Sequence, residues 1–112
     1  MTIKELQKKV DDWISEHGVR YFNELTNLAL LMEETGELAR IMARTYGEQS
    51  NKQSEEHLQI ADEIADIIFV LICIANQSGI KLDEAIEANL IKKTLRDRNR
   101  HLNNPKLGTK GN

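Results

Sequence analysis

The sequence has 112 residues, which suits one folded domain and leaves little room for a second. Hydrophobic residues make up 40% and charged residues 29%, a balance that excludes an intrinsically disordered chain. The formal net charge of −3 argues against a protein that coats nucleic acid, because phosphate backbones need a basic surface. A single nucleotide is not excluded, since metal ions can hold its phosphates.

The first predicted helix spans residues 2–17. Thr2 and Glu5 form the capping-box pattern that is typical of a helix start. Apolar residues then recur at helical spacing until Gly18, which ends the pattern. They are Ile3, Leu6, Val10, Trp13 and Ile14.

A second helix is predicted over residues 22–46, with Gly47 at the position where a glycine commonly follows a helix. Its apolar residues can share one face, flanked by Leu30, Leu38 and Ile41. The residues of this face are Leu25, Leu28, Ala29, Met32, Gly36, Ala39, Met42 and Ala43. Residues 47–53 are polar and lack periodicity, which predicts a loop.

The third helix is predicted to begin near Ser54 and to end before Gly79. Its centre, residues 67–75, is apolar on every side and taken alone would also suit a buried strand. The helical spacing of the preceding apolar residues, with no turn residue before this run, favours a helix. A helix that is apolar all round lies at the centre of its bundle or in a subunit interface.

A fourth helix is predicted over residues 82–100, with a strongly basic C-terminal part. Four long helices and short connections predict an all-α, antiparallel four-helix bundle-like domain over residues 1–102. Residues 103–112 contain Pro105, Gly108 and Gly111, and we expect a flexible C-terminal tail there.

The sequence also favours a cytoplasmic location. Its first residues contain no apolar signal core, and no uncharged apolar stretch approaches the ~18 residues of a membrane helix. The single cysteine, Cys73, lies in an apolar run and is expected to be a buried, reduced side chain.

Two acidic clusters carry the functional prediction. They are Glu33-Glu34-Thr35-Gly36-Glu37 and Asp62-Glu63-Ile64-Ala65-Asp66. Residues three apart share a face of a helix, so Glu34 points with Glu37, and Glu63 with Asp66. Both clusters adjoin the most apolar stretches of their helices.

Acidic residues on a helix usually form a solvated face, but such a face normally contains interleaved cations. Lys and Arg are absent from residues 21–39 and 53–80. Two uncompensated acidic clusters beside a core are costly unless cations neutralise them. Oxygen ligands without His or Cys favour Mg²⁺, Mn²⁺ or Ca²⁺ over zinc.

These motifs resemble the MazG-like nucleoside triphosphate pyrophosphohydrolases of the all-α NTP pyrophosphatase superfamily. The family pattern is Glu-Glu-x-x-Glu followed by Glu-x-x-Asp, here Glu33 to Glu37 and Glu63 to Asp66, and the resemblance covers about residues 3–100. It implies a helical-bundle fold assembled as a homodimer or homotetramer. It also implies hydrolysis of a nucleoside triphosphate, including deoxy or non-canonical ones, to the monophosphate and pyrophosphate.

The resemblance further implies the roles of individual side chains. Glu34, Glu37, Glu63 and Asp66 would bind Mg²⁺, with Mn²⁺ as a substitute. Glu33 would bind a further metal or orient the attacking water. Lys92 and Arg96 match the family's Lys-x-Asn-x-Arg pattern and would hold phosphates, although Thr94 stands where the family has Asn. A solvated basic helix end is the alternative interpretation of these two cations.

Four aromatic residues are candidates for contacts with the nucleoside: Trp13, Tyr21, Phe22 and Tyr46. Trp13 also fits the apolar face of the first helix, where it would belong to the core. Tyr21 and Phe22 lie in the connection into the second helix, where either can line a pocket.

Three other functions compete with this hypothesis. A phosphoribosyl-ATP pyrophosphohydrolase would share the fold and the chemistry, and only substrate assays separate the two. A non-catalytic helical module that binds metal or a partner would show no nucleotide turnover. A di-iron carboxylate bundle is disfavoured because it normally uses Glu-x-x-His pairs, and no histidine here follows a Glu by three positions.

Overall fold

The computed structural model describes residues 1–47 and 56–108, and this part of the chain contains four α-helices and no strand. The helices are Ile3–Trp13 (α1), Glu24–Tyr46 (α2), Glu56–Gln77 (α3) and Leu82–Asp97 (α4). A π-helical turn, Ile14–Gly18, extends α1, and a 3-10 turn, Pro105–Leu107, follows α4. The predicted all-α class is confirmed. The predicted loop from residue 48 onward, the predicted start of the third helix and the last four residues of the tail lie outside the described residues.

Side-chain caps set the starts of the first two helices. The Glu5 backbone N–H donates to Thr2 Oγ1 at 3.0 Å, and the Thr2 N–H donates to Glu5 Oε1 at 3.2 Å, which confirms the predicted capping box. Helix α2 begins two residues later than predicted because Asn23 caps it, accepting from the Thr26 N–H at 2.9 Å.

Gly47 follows α2 as predicted, in an extended conformation with φ of −93°. Its N–H donates to the carbonyl of Ala43 at 2.8 Å. A Cβ atom at this position would lie 2.2 Å from the same carbonyl oxygen, so a close approach of two backbone segments requires glycine here.

Helix α3 lies at the centre of the fold, in contact with both α1 and α2, which agrees with its apolar sequence. Val10 of α1 and Ile72 and Cys73 of α3 form a buried core cluster. Leu6, Ile14, Tyr21, Phe69 and Leu82 pack against it. Cys73 is buried as predicted, and burial raises the pKa of its thiol.

The apolar face predicted for α2 is largely exposed in this chain. Asn27 and Ile41 are the buried residues of this helix, and Ile41 is one of the residues predicted to flank that face, whereas Leu25 and Met32 of the face itself are 78% and 68% exposed. Gly36 is also exposed, and a Cβ there would meet nothing within 4 Å. Because α2 is apolar on two opposite sides, periodicity identified one of them, but the chain packs the other against α3.

Gln7 of α1 links α3 to the start of α4. Its side-chain amide donates to Asn76 Oδ1 and to the Ile80 carbonyl, both at 2.9 Å, and its Oε1 accepts from the Leu82 N–H at 2.9 Å. Helix α4 therefore lies against α1 at its beginning.

The apolar side chains further along α4 remain exposed, and they are Ile86, Leu90, Ile91 and Leu95. The radius of gyration of 18.0 Å is also larger than the roughly 13 Å of a compact chain of this length. A single chain therefore leaves much apolar surface uncovered. None of the helices in the described ranges is long and apolar enough to cross a membrane.

Candidate metal and nucleotide site

The two acidic motifs meet where α2 and α3 pack side by side. The helices run in opposite directions, because Asn27 near the start of α2 contacts Gln77 at the end of α3. Near the middle of this pair, Glu34 faces Glu63 and Asp66. One carboxylate oxygen from each of these three residues lies within 4.8 Å of the other two.

Mutual proximity changes the proton affinity of this carboxylate cluster, which we define as Glu34, Glu63 and Asp66. A hydrogen bond with Glu63, followed by burial and the charge of Glu63, raises the pKa of Glu34 above its usual value. Burial and the charges of Asp62 and Glu34 raise the pKa of Asp66. The fully ionised cluster is therefore unfavourable without a cation.

One carboxylate oxygen of the cluster illustrates the cost of ionising the cluster without a cation. Glu63 Oε2 is buried and has no hydrogen-bond partner among the described residues. A buried carboxylate oxygen without a partner is costly, and a proton, a cation or an ordered water would satisfy it. Three oxygen donors with this spacing fit a hard divalent cation such as Mg²⁺, Mn²⁺ or Ca²⁺.

The other two carboxylates of the first motif lie outside this group. Glu37 makes an ion pair with Arg40, with Oε2 2.6 Å from Arg40 Nη2. It nevertheless lies close enough that its charge contributes to the raised pKa of Glu34. Glu33 is exposed on α2. Three of the four predicted metal ligands thus converge, while Glu37 is turned toward Arg40, for which the sequence predicted no role.

A polar pocket of about 340 Å³ opens on one side of the carboxylate cluster. Its lining residues are Glu37, Arg40, Ile41, Arg44, Gln59, Asp62 and Glu63. The two arginines were missed by the sequence analysis. Lys and Arg are scarce in the sequences of α2 and α3. This scarcity, which marked the carboxylates as uncompensated, also marks the two arginines that are present.

A mainly apolar pocket of about 320 Å³ lies on the other side. Three of the four aromatic residues proposed for nucleoside contacts line it, Trp13, Tyr21 and Phe22, whereas Tyr46 does not. Trp13 is 50% exposed and packs edge-to-face on Phe69, with ring centroids 5.6 Å apart. Trp13 is therefore packed against the core on one part of its ring and exposed on the other, so the alternative interpretation of a core residue applies only in part.

Helical register places this aromatic pocket next to the carboxylate cluster. Leu30 lines the pocket four residues before Glu34 on α2, and Phe69 lines it three residues after Asp66 on α3. Such spacings correspond to about one helical turn, or roughly 5.4 Å. The pocket and the cluster are consecutive parts of one groove between α2 and α3.

Buried polar contacts fix the walls of the aromatic pocket. The Tyr21 hydroxyl donates to Asp11 Oδ1 at 2.6 Å and accepts from Asn76 Nδ2 at 3.0 Å, and burial raises its pKa to about 12. Asn27, which is 3% exposed, donates to Gln77 Oε1 at 2.7 Å and to the Phe22 carbonyl at 3.3 Å. Asn27 was also missed, and its place in an otherwise apolar stretch is the signal that marks it.

The two predicted phosphate-binding residues of α4, Lys92 and Arg96, are absent from the linings of the two pockets in this groove. Arg96 binds Asp97 through two hydrogen bonds, from Nε at 3.1 Å and from Nη2 at 2.8 Å. These contacts raise the pKa of Arg96 and lower that of Asp97 to about 2. Among the described residues, no hydrogen bond or ion pair joins Lys92 or Arg96 to the carboxylate cluster.

Two known proteins are similar to this chain over most of its length. The uncharacterized protein YpjD of Bacillus subtilis strain 168 is 40% identical over 99 residues, which covers 88% of this chain and 89% of YpjD. The protein YvdC of the same organism is 25% identical over 103 residues, which covers 86% and 96% of the two chains.

Solved structures give the same result. The crystal structure of YpjD matches with a TM-score of 0.70 and 37% identity, covering 88% of this chain and 96% of that one. The Bacillus-conserved MazG protein, a nucleotide pyrophosphohydrolase, matches with a TM-score of 0.73, and with the same identity and coverage. The family model of the MazG nucleotide pyrophosphohydrolase domain matches residues 22–101, which include α2, α3 and α4. The chain is a member of the MazG nucleotide pyrophosphohydrolase domain family.

Proposed function

We propose that the protein hydrolyses a nucleoside triphosphate, including deoxy or non-canonical ones, to a nucleoside monophosphate and pyrophosphate, with Mg²⁺ as the cofactor. The observation that supports this proposal most strongly is the carboxylate cluster directly beside an aromatic pocket. The cluster suits the cation that a triphosphate brings with it, and the pocket suits a base.

In this proposal, Glu34, Glu63 and Asp66 hold Mg²⁺, or Mn²⁺ in its place, and Glu37 joins them once it leaves Arg40. When bound, the divalent cation lowers the pKa of a water molecule and offsets negative charge on the phosphates. Glu63 Oε2 would gain the partner that it lacks, and the positive charge would oppose the effects that raise the pKa of Glu34. Glu33, exposed on the same helix, orients the attacking water.

The nucleoside occupies the aromatic pocket. Trp13 and Phe22 offer exposed ring surface for stacking, and the ring of Tyr21 is held in place by the two hydrogen bonds of its hydroxyl group. A base that enters this pocket places its phosphates toward the carboxylate cluster, one helical turn away.

We propose that the working form is a homo-oligomer. The exposed apolar residues of α4 and the exposed side of α2 with Leu25, Leu28 and Met32 supply uncovered surface for a second copy. Association also offers a way for Lys92 and Arg96, which lie away from the cluster of their own chain, to reach the phosphates of a neighbouring chain.

The proposal is tested by incubating the protein with a panel of nucleoside triphosphates and phosphoribosyl-ATP in the presence of Mg²⁺. Release of a monophosphate and pyrophosphate is the expected result, and the panel identifies the preferred base and sugar. Asp66→Asn is expected to abolish turnover, whereas Glu24→Gln, an exposed carboxylate at the start of α2, serves as the matched control. Equal turnover by the Asp66 variant would defeat the proposal.

A further inference from the structure

Arg40 and Arg44 of α2 line the pocket at the end of the α2–α3 groove that lies opposite the aromatic pocket. We propose that these two arginines bind the β- and γ-phosphates of the substrate and retain them as pyrophosphate after cleavage. The inference rests on the proposed function and deepens it. It assigns to this chain the residues that distinguish a triphosphate from shorter nucleotides.

The order of the three regions along the groove follows from helix register. On α2, Leu30 lines the aromatic pocket, Glu34 belongs to the carboxylate cluster, and Arg40 and Arg44 line the polar pocket. A rise of 1.5 Å per residue places Glu34 about 6 Å beyond Leu30 and Arg40 about 9 Å beyond Glu34. An arginine side chain is long enough to bring its guanidinium group nearer to the carboxylate cluster than this rise between Glu34 and Arg40 indicates.

Helix α3 repeats this order in the reverse direction. Phe69 lines the aromatic pocket, Asp66 belongs to the cluster, and Gln59 lines the polar pocket. A nucleotide whose base lies in the aromatic pocket therefore extends its phosphates across the cluster toward the arginines. The α-phosphate then lies nearest the cluster, which agrees with cleavage between the α- and β-phosphates.

The distribution of charge supports the same direction. Arg40 and Arg44 are the only Lys or Arg residues in the sequences of α2 and α3, and both line this one pocket. The guanidinium group is planar, always charged and able to bind a phosphate through two hydrogen bonds. Three carboxylates, Glu37, Asp62 and Glu63, line the same pocket, so these two groups suit a pyrophosphate that is bound together with Mg²⁺.

The ion pair between Arg40 and Glu37 does not prevent this role. Both side chains are about half exposed, at 51% and 48%, and such surface pairs contribute little stability. A phosphate can therefore replace Glu37 as the partner of Arg40. The exchange would free the Glu37 carboxylate to join the other three carboxylates.

The test compares wild-type protein with Arg44→Gln, Arg40→Gln and the charge-conserving Arg44→Lys, using Lys9→Gln on α1 as a control. Three values are measured with Mg²⁺: KM for the preferred triphosphate, and the inhibition constants of pyrophosphate and of the monophosphate product. In the two Gln variants, loss of a charged hydrogen bond is expected to raise KM for the triphosphate and the inhibition constant of pyrophosphate about tenfold or more. Monophosphate inhibition should stay within about twofold, and Arg44→Lys should recover part of the loss.

The outcomes separate the two proposals. If wild-type protein turns over no nucleotide, the proposed function fails and the inference fails with it. If wild-type protein is active but both Gln variants bind pyrophosphate as well as wild type, the inference alone is wrong. A similar loss for monophosphate and pyrophosphate would also contradict it, because the arginines would then act through the whole site. Thermal unfolding of each variant identifies any loss of fold. Arg40 is more exposed than Arg44, so Arg40→Gln still tests the inference if Arg44→Gln does not fold.

Discussion

Glu34 of α2 and Glu63 of α3 face each other with a carboxylate oxygen of each within 4.8 Å of the other, an arrangement that a shared proton or a cation would stabilise. The pKa of Glu34 is raised as a result, mainly by the hydrogen bond with Glu63 and by burial. Two residues from separate motifs, 29 positions apart, thus act as a single site.

The raised pKa values predict an unusual pH dependence of stability in the metal-free protein. Glu34 and Asp66 bind protons more readily in the folded than in the unfolded state, whose usual pKa values are 4.5 and 3.8. Stability is therefore expected to increase as pH falls from neutral toward about 4.5, because the folded state takes up protons first. Asp97, whose pKa is lowered to about 2, acts in the opposite direction only below this window.

Thermal unfolding in chelator across this pH range measures the effect. Glu63→Gln removes one of the crowded charges and should flatten the increase, and Mg²⁺ added at neutral pH should raise the unfolding temperature of wild-type protein more than that of the variant. An identical pH profile in wild type and Glu63→Gln would show that the cluster carries no such strain.

The aromatic pocket predicts that Trp13→Ala weakens nucleotide binding more than catalysis. Loss of a stacking surface is expected to raise KM for triphosphates about tenfold with a smaller change in kcat, since the ring does not touch the carboxylate cluster. Because Trp13 is the only tryptophan, quenching of its fluorescence by nucleotide provides a direct binding measurement. Tyr46→Ala, at an exposed aromatic residue outside the pocket lining, is the control. An unchanged KM in Trp13→Ala would place the base elsewhere.

The uncovered surface of α4 predicts that Leu90→Lys shifts the protein toward monomer. Leu90 is 54% exposed, and a charge in the middle of an apolar contact is costly when that contact is buried between chains. Sedimentation velocity is expected to show a smaller species for this variant but not for Leu107→Lys, at an exposed apolar residue outside α4. A wild-type protein that sediments as a monomer would contradict the proposed assembly.

The sequence predicted those features that depend on local chemistry. The Thr2–Glu5 capping box, the helical identity of the apolar run in α3 and the burial of Cys73 follow from patterns within a few residues, and all three are confirmed. The family match over residues 22–101 confirms the resemblance carried by the two acidic motifs. The metal, the substrate and the roles of individual side chains stay predictions.

Features that depend on how the helices pack could not be predicted from periodicity. Both sides of α2 are apolar, so spacing alone did not distinguish the side with Asn27 and Ile41 that packs within the chain from the exposed side with Leu25 and Met32. Glu37 lies three residues from both Glu34 and Arg40, and only the folded structure shows which neighbour it contacts. The arginine pocket was not predicted from the sequence, because the functional prediction rested on the acidic residues and gave Arg40 and Arg44 no role.

We propose that the converging carboxylates support hydrolysis between the α- and β-phosphates. Phosphorus NMR of a nucleoside triphosphate incubated with Mg²⁺ and the protein identifies the bond that is cleaved, and Glu34→Gln is measured in parallel. Wild-type protein is expected to give monophosphate and pyrophosphate in equal amounts, while the variant, still folded, gives neither. Release of orthophosphate and a nucleoside diphosphate, or equal turnover by Glu34→Gln, would contradict the claim.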